Sequence, residues 1–201
     1  RNLYALRTDV SGCPYPELVP MGDYSIMRYE ASRPDASRDD PGVQTDTVCS
    51  RGSVLPWTNV NYAEATAACA SVGMALCSGI QWEAACRGAN NADFPYGETL
   101  NAEACNGLKN SIGGCESGAC AALPTGERAS CQSASGIYDA SGNVREWVVD
   151  PGATSGQFYV RGGSFEDDDS DLRCSSVYPA RHLAVAGERK PDLGFRCCAP
   201  N

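Results

Sequence analysis

The sequence predicts an α+β fold in which long loops are held by disulfide bonds. Helical and extended patterns are both present, but they are short and scattered among 21 glycines and 12 prolines. Such a density of turn-forming residues is typical of irregular, loop-rich proteins. Twelve cysteines accompany a single histidine, which favours six disulfide bonds over zinc sites built from closely spaced cysteines and histidines. At 201 residues, the chain is most simply one domain, residues 1–201.

Charge and cysteine content restrict the partners and the compartment. The net charge of −9 disfavours nucleic acid and anionic lipid, since both are bound by basic surfaces. No apolar run approaches the ~18 residues that a membrane span needs. The chain begins at Arg1 rather than Met, which we interpret as a mature form without its signal peptide. We therefore expect a secreted, periplasmic or cell-surface protein in an oxidising compartment.

The N-terminal part of the chain predicts a strand followed by a loop. Apolar and polar residues roughly alternate over Tyr24–Glu30, as in a strand with one buried face. Residues 32–47 are rich in Asp, Pro and Arg, a composition typical of a surface loop.

Two helices follow, and each begins with a capping box. In this motif the N-cap side chain and the residue three positions later satisfy each other's backbone N–H groups. Asn61 and Glu64 form the first box, and Ser78 and Gln81 the second; the second helix ends at Gly88. Small residues line the inner faces of both helices, so we expect close packing and a structural role.

Residues 98–136 are interpreted as an insertion without a core of its own. Four cysteines lie there among Gly, Asn and Ser, with no apolar period. Cross-links can stabilise such a loop by restricting the unfolded chain. Proximity in sequence suggests Cys105–Cys131 and Cys115–Cys120, although connectivity does not follow from spacing alone.

The C-terminal part contains three glycine-rich blocks, and together with the helices they indicate a family. The blocks and the N-terminal signature are Ile137–Trp147, Val160–Phe165, Leu193–Cys198, Tyr62–Cys69, Leu76–Gly88 and Phe94–Gly97. In their order along the chain, these segments resemble the formylglycine-generating enzyme (sulfatase-modifying factor) family over residues 24–198. The resemblance implies a C-type-lectin-like fold with a small twisted antiparallel sheet, two helices and long loops.

The same resemblance implies two disulfide pairs. Transferred motif by motif, the family's bridges become Cys69–Cys197 and Cys86–Cys174. The remaining Cys13, Cys49, Cys77 and Cys198 could form two further bridges, whose pairing stays open.

The family's oxidation chemistry depends on cysteines that this sequence lacks. The family enzyme converts a sulfatase cysteine to formylglycine with copper, which two thiolates shortly after the Arg-Gly-Gly-Ser block hold as soft Cu(I) ligands. Here that stretch, Glu166–Leu172, contains carboxylates and no cysteine, and Cys174 matches a bridge position. A related branch uses iron held by three histidines, but His182 is alone. We therefore expect no copper and a non-catalytic protein, with a divergent oxidoreductase as the alternative.

Calcium is a cofactor that the resemblance still allows. In the family, a Gly-Asn-x-x-Glu-Trp segment helps to hold a structural calcium, and this sequence retains Asn143 and Glu146. Their oxygens, with the Val144 carbonyl, are suitable calcium ligands. Asn106 matches a second family position more loosely. The alternative is that Asn143 and Glu146 only fix backbone amides of the turn.

Loops on a rigid frame are common binding sites, and the predicted function is binding a protein or polymer ligand outside the cytosol. The acidic run predicts a surface for a cationic partner or for calcium, and its alternative interpretation is a solvated loop. An architectural subunit of an extracellular assembly is a further alternative. The predicted binding residues share one expected face: Arg145, Glu166, Asp167, Asp168, Asp169, Asp171, Tyr178, Arg181 and His182.

Overall fold

The computed structural model describes residues 13, 16–108, 120–168, 170–175 and 183–200. Within these ranges the chain forms two helices and eight short strands. In chain order they are β1 (Leu18–Pro20), β2 (Tyr24–Met27), α1 (Tyr62–Ser71), β3 (Ala75–Leu76), α2 (Gly79–Arg87), β4 (Arg145–Pro151), β5 (Gln157–Arg161), β6 (Leu183–Val185), β7 (Leu193–Phe195) and β8 (Cys197–Pro200).

The described strands form two four-stranded sheets. The first has the order β1-β2-β8-β3 and is antiparallel throughout. The second has the order β6-β5-β4-β7, and β4 pairs in parallel with β7. Because β7 and β8 are consecutive, with only Arg196 between them, the C-terminal segment belongs to both sheets and joins them.

The α+β fold class is confirmed, and the sheet differs from the expectation in two respects. The resemblance implied a small antiparallel sheet, whereas the structure divides the strands between two sheets and includes a parallel pair. Strands of two to seven residues carry too little periodicity to reveal their partners. The strand predicted over Tyr24–Glu30 is present as the shorter β2.

Both capping boxes are confirmed. The Asn61 side chain accepts from the Glu64 N–H at 2.9 Å, and the Glu64 carboxylate accepts from the Asn61 N–H at 3.0 Å. Ser78 and Gln81 exchange the equivalent bonds at the start of α2. The α2 helix stops at Gly88, whose φ of +60° favours glycine. A Cβ at Gly88 would lie 2.9 Å from the Ala134 Cβ, so glycine also permits the close approach of that loop.

Aromatic side chains from both halves of the chain form the main core. Trp147 on β4 is fully buried and donates its indole N–H to the Val60 carbonyl at 3.0 Å. The Tyr62 ring meets Trp147 edge-on and stacks on Phe158 of β5. A second cluster surrounds Trp82 of α2 and is also fully buried at its centre. The helices therefore serve as packing elements, as their small residues predicted.

Five disulfide bonds link distant parts of the described chain: Cys13–Cys49, Cys69–Cys197, Cys77–Cys198, Cys86–Cys174 and Cys105–Cys131. Three of them span 88 to 128 residues, and closing such loops is worth about 4–5 kcal/mol each in the chain-entropy model. Cys120 is disulfide-bonded as well, but the predicted Cys115–Cys120 pairing involves Cys115, outside the described residues.

Residues 98–108 and 120–136 contain no helix and no strand of either sheet, which agrees with their composition. The bounds of this insertion and of the single domain stay predictions. No helix in the part of the chain that the structure describes is both long and apolar enough to cross a bilayer.

The Asn61 cap provides a stability test of the first helix. Asn61→Ala removes the side-chain acceptor of the Glu64 N–H and should lower the free energy of unfolding by about 1 kcal/mol. Asn61→Ser keeps an acceptor and should lie close to the wild type in urea denaturation. Equal stability of all three proteins would contradict the contribution of the cap.

Candidate functional site

The predicted binding residue Arg145 lies in a network of ion pairs at the start of β4. Its guanidinium pairs with the buried Asp192 carboxylate and lies 3.9 Å from Asp167 Oδ2. Its backbone N–H donates to the Asp192 carbonyl at 2.8 Å. Arg145 is therefore held in place by two carboxylates, and only 17% of its side chain is exposed.

The acidic run begins with a turn that Ser164 and Asp167 close. Asp167 Oδ2 accepts from the Ser164 N–H at 2.9 Å and from the Ser164 hydroxyl at 2.8 Å. Ser164 is fully buried and its hydroxyl also lies 3.3 Å from Asp192 Oδ2. The Arg-Gly-Gly-Ser block therefore ends in a carboxylate and hydroxyl network that fixes the position of the run.

The members of the acidic run differ in exposure. Glu166 and Asp168 are exposed, and Asp167 is half-buried. Asp171 is buried, which corrects the expectation that it belongs to the binding surface. Of the other predicted binding residues, Asp169, Tyr178, Arg181 and His182 lie outside the described residues. The described surface is thus formed by Glu166, Asp167 and Asp168, and we refer to these three residues as the acidic surface.

The predicted calcium ligand Asn143 is at the centre of a different, buried network. Its φ is +57°, and its amide oxygen accepts from the Leu123 N–H at 2.8 Å and from Asn106 Nδ2 at 3.0 Å. Its amide nitrogen donates to Glu30 Oε2 at 2.6 Å, while the Val144 N–H donates to Glu30 Oε1 at 3.1 Å. Asn143 therefore joins three segments of chain through its side chain.

The predicted ligand Glu146 is fully buried and makes a two-bond ion pair with Arg196. Arg196 donates from Nε to Oε2 at 2.7 Å and from Nη2 to Oε1 at 2.6 Å. The Trp82 indole N–H adds a bond to Oε2 at 2.7 Å. Arg196 also donates to the carbonyls of Met27 and Tyr138. Both carboxylate oxygens of Glu146 are therefore hydrogen-bonded to nitrogen donors.

This donor set, as the structure places it, does not fit a calcium ion. Calcium takes six to eight oxygens, but the side-chain oxygens of Asn143 and Glu146 face nitrogen donors. Asn106 Oδ1 is buried without a hydrogen-bond partner in the described residues, and one such oxygen cannot hold calcium alone. Among the described ranges no group of three or more acidic, histidine or cysteine residues could hold a metal ion. Calcium stays a prediction of the resemblance alone.

Two further buried carboxylates lie near the ion pair, and sequence reasoning did not single them out. Burial raises the pKa of Glu30 well above its ordinary value, and Asp139 and Glu146 raise it further. Burial also raises the pKa of Asp139 to about 7, against the lowering effect of the Gly126 N–H and Arg196. Arg196 is therefore surrounded by more buried carboxylates than its single charge can balance.

Sequence signals for these missed residues exist but are weak. Glu30 ends the predicted strand, Asp139 precedes the Gly-Asn turn and Arg196 stands between Phe195 and Cys197. A single charged residue in an apolar segment does not show whether it is buried or which residue pairs with it. The partners of Arg196 lie 50 or more positions away in sequence.

A family match covers nearly the whole chain. Residues 2–200 match the family described as the sulfatase-modifying factor enzyme 1-like domain. The chain belongs to this family. The resemblance inferred from the sequence motifs is thereby confirmed. None of the curated proteins matches the chain.

Several solved structures share the fold of this chain. The structure of CarF has a TM-score of 0.64 at 20% identity and covers 89% of this chain and 86% of that chain. Treponema denticola variable protein 1 has a TM-score of 0.66 at 16% identity, with 94% and 93% covered. PvdO from Pseudomonas aeruginosa has a TM-score of 0.58 at 18% identity, with 89% and 80% covered. At these identities the likeness concerns the fold.

The buried ion pair of this family domain provides a strong stability test. Arg196→Leu leaves Glu146 buried without its counterion and should lower the free energy of unfolding by ~3–5 kcal/mol. Arg38→Leu is a matched control, because Arg38 also makes a two-bond contact with a carboxylate, that of Glu127, at the surface. Water and salt screen an exposed pair, so the control should lose far less stability.

Urea denaturation of both variants, and of the double variant Arg196→Leu/Glu146→Leu, gives the comparison. The double variant should recover part of the loss, because Glu146 no longer remains as a buried charge without its counterion. Similar small losses for Arg196→Leu and Arg38→Leu would contradict the importance of the buried pair.

The raised pKa of Asp139 predicts an unusual pH dependence. Its pKa is about 7 in the folded protein against an ordinary value of 3.8, so the folded state binds the proton more tightly. The contribution of Asp139 to stability is therefore complete below pH ~4 and is lost as the pH rises through about 7. Asp139→Asn lacks this titration, so the wild type should lose stability relative to the variant between these pH values. Urea denaturation at several pH values measures the difference, and a difference that does not change with pH would exclude the shift.

Proposed function

We propose that this chain is a non-catalytic module that binds a cationic protein or polymer partner through the acidic surface of Glu166, Asp167 and Asp168. One observation carries the proposal. Where the family resemblance places thiolates, after the Arg-Gly-Gly-Ser block, this chain presents carboxylates on a fixed turn. Carboxylates are hard oxygen ligands and do not replace a pair of thiolates for Cu(I).

The described cysteines support a binding role over copper-thiolate chemistry. Free cysteines are absent from the part of the chain that the structure describes, and Cys174, the first cysteine after the acidic run, bonds to Cys86. A cysteine sulfur in a disulfide bond is not available as a thiolate ligand. The binding role therefore rests on carboxylates at the surface.

The charge around the site favours a cationic partner. Among the described residues, Arg145 pairs with Asp167 and Asp192, and Glu166 and Asp168 flank Asp167 in the sequence. The chain as a whole carries a net charge of −9, so its long-range field also attracts cations. Arg145 is already paired, and its role in this proposal is to position Asp167.

Hydrogen bonds and a nearby disulfide hold the turn below the acidic surface, which would lower the ordering cost of binding. Ser164 and Asp167 close the turn through two hydrogen bonds. The Asp171 N–H donates to the Asp168 carbonyl at 3.0 Å, and the Cys86–Cys174 bridge follows shortly after. The two exposed carboxylates, Glu166 and Asp168, thus flank Asp167, whose side chain is held by Ser164.

The disulfide content supports an oxidising location for this activity. Five described bridges are typical of proteins that work outside the reducing cytosol. The proposal therefore places the partner in the extracellular space, in the periplasm or at the cell surface.

Charge-neutralising variants test the proposal with a fluorescent oligolysine as the cationic probe. Glu166→Gln/Asp168→Asn removes two charges of the acidic surface, and the new amide at position 168 retains an oxygen that can accept from Ser170. Asp23→Asn/Asp46→Asn removes two exposed charges elsewhere and is the control with the same net charge. Fluorescence anisotropy at low ionic strength should show affinity roughly five- to tenfold weaker for the first variant, because each exposed pair contributes up to about 1 kcal/mol.

The control should bind oligolysine nearly as the wild type does, and both variants should keep the wild-type melting temperature. Equal weakening in both variants would show that only net charge attracts the probe and would reject the acidic surface as the site. Absence of oligolysine binding by the wild type at low ionic strength would reject a cationic partner.

A further inference from the structure

A cavity of about 350 Å³ lies beside the C-terminal end of α2. Its walls come from the residues after the helix, from the turn that contains Tyr96 and from the loop that contains Gln132. This volume is at the small end of pockets that hold small molecules. The acidic surface does not contribute to it, so the cavity is separate from the proposed partner site.

The walls of the cavity are held in place by covalent and aromatic contacts. The Tyr96 ring stacks on the Phe94 ring, with centroids 5.5 Å apart and planes 10° from parallel. Tyr96 also packs against the cluster that contains the Cys105–Cys131 bridge. The pocket is therefore formed before a ligand arrives, which is typical of specific small-molecule sites.

Three polar side chains of the lining are available to a ligand. No hydrogen bond joins the side chains of Asn90, Gln132 or Glu98 to another residue that the structure describes. Each amide offers both donors and an acceptor, and the carboxylate accepts. Ser133 adds a hydroxyl whose buried oxygen has no hydrogen-bond partner among the described residues. The lining thus matches a ligand with several hydroxyl groups.

The charge of the cavity does not favour an anion. Arg87 also lines the cavity, but its guanidinium donates to Glu83 at 3.0 Å and to the Asn91 carbonyl at 2.8 Å. It lies 3.8 Å from the Asp93 carboxylate as well. Its charge is therefore compensated within the protein, and Glu98 would repel an anionic group.

We propose that this cavity binds one neutral sugar residue. Tyr96, which lines the cavity, would contact apolar C–H groups of the sugar ring, while Asn90, Gln132 and Glu98 bind its hydroxyl groups. Amide and carboxylate side chains suit hydroxyl groups because each hydroxyl both donates and accepts. This site goes beyond the acidic surface, and its failure would leave the proposed partner binding unchanged.

Saturation-transfer NMR with simple methyl glycosides tests this proposal on the intact chain. The probes are the methyl glycosides of glucose, galactose, mannose and N-acetylglucosamine, and we expect at least one to bind with a Kd on the order of 1 mM. Gln132→Ala should weaken that binding roughly three- to tenfold, the effect of one neutral hydrogen bond. Gln44→Ala is the matched control, because Gln44 is exposed and does not line the cavity.

Both glutamine variants should keep the wild-type melting temperature. The Gln132 side chain makes no hydrogen bond to another described residue, and Gln44 is exposed. Absence of binding by all four glycosides would overturn the proposal, and so would equal binding by wild type and Gln132→Ala. Tetramethylammonium is the competing probe, because Tyr96 and Glu98 could also contact an organic cation. Binding of tetramethylammonium without any glycoside would overturn the sugar assignment.

Discussion

The contact between Arg196 and Glu146 is the interaction on which the architecture depends. Glu146 lies on β4 of one sheet, and Arg196 stands between β7 and β8, where the chain passes from that sheet to the other. The guanidinium also reaches the carbonyl of Met27 in the first sheet, and the carboxylate accepts from Trp82 of α2. One fully buried ion pair therefore contacts both sheets and a helix. Its hydrogen bonds satisfy charged groups whose burial without partners would cost much free energy.

Two further carboxyl groups lie near this ion pair in the centre of the protein. Glu30 and Asp139 are buried close to Arg196, and burial raises the pKa of both. Glu30 accepts hydrogen bonds from the Asn143 side chain and the Val144 N–H, two residues of the predicted calcium segment. This arrangement fixes the Gly-Asn turn from inside the protein. The turn needs glycine at position 142, because a Cβ there would lie 2.3 Å from the Asn106 carbonyl oxygen.

The loop after the Arg-Gly-Gly-Ser block has carboxylates where the family resemblance implies two copper-binding cysteines. After the Arg-Gly-Gly-Ser block, Ser164 and Asp167 close a turn, and Arg145 and Asp192 support it from β4 and from the segment before β7. Disulfide bonds across 88 to 128 residues hold the surrounding frame. A frame stabilised in this way tolerates changes of loop chemistry, because the stability lies in bridges and buried pairs away from the loops.

Short-range sequence patterns determined the helix starts, the family and the disulfide-linked character of this protein. Capping boxes depend on residues three positions apart, so Asn61 and Ser78 revealed the helix starts. Motif order identified the family, and the twelve cysteines indicated a disulfide-linked frame. Local composition also indicated the loops on both sides of the helices.

Only the tertiary structure decided which charged residues are buried and which residues they pair with. Arg196 and Glu146 are 50 positions apart in sequence, and Asn143 and Glu30 are 113 apart. Desolvation and ion pairing depend on distances in space, which periodicity and composition do not contain. For the same reason the sequence grouped Asp171 with the exposed acids, whereas the fold buries it and leaves Glu166 and Asp168 at the surface.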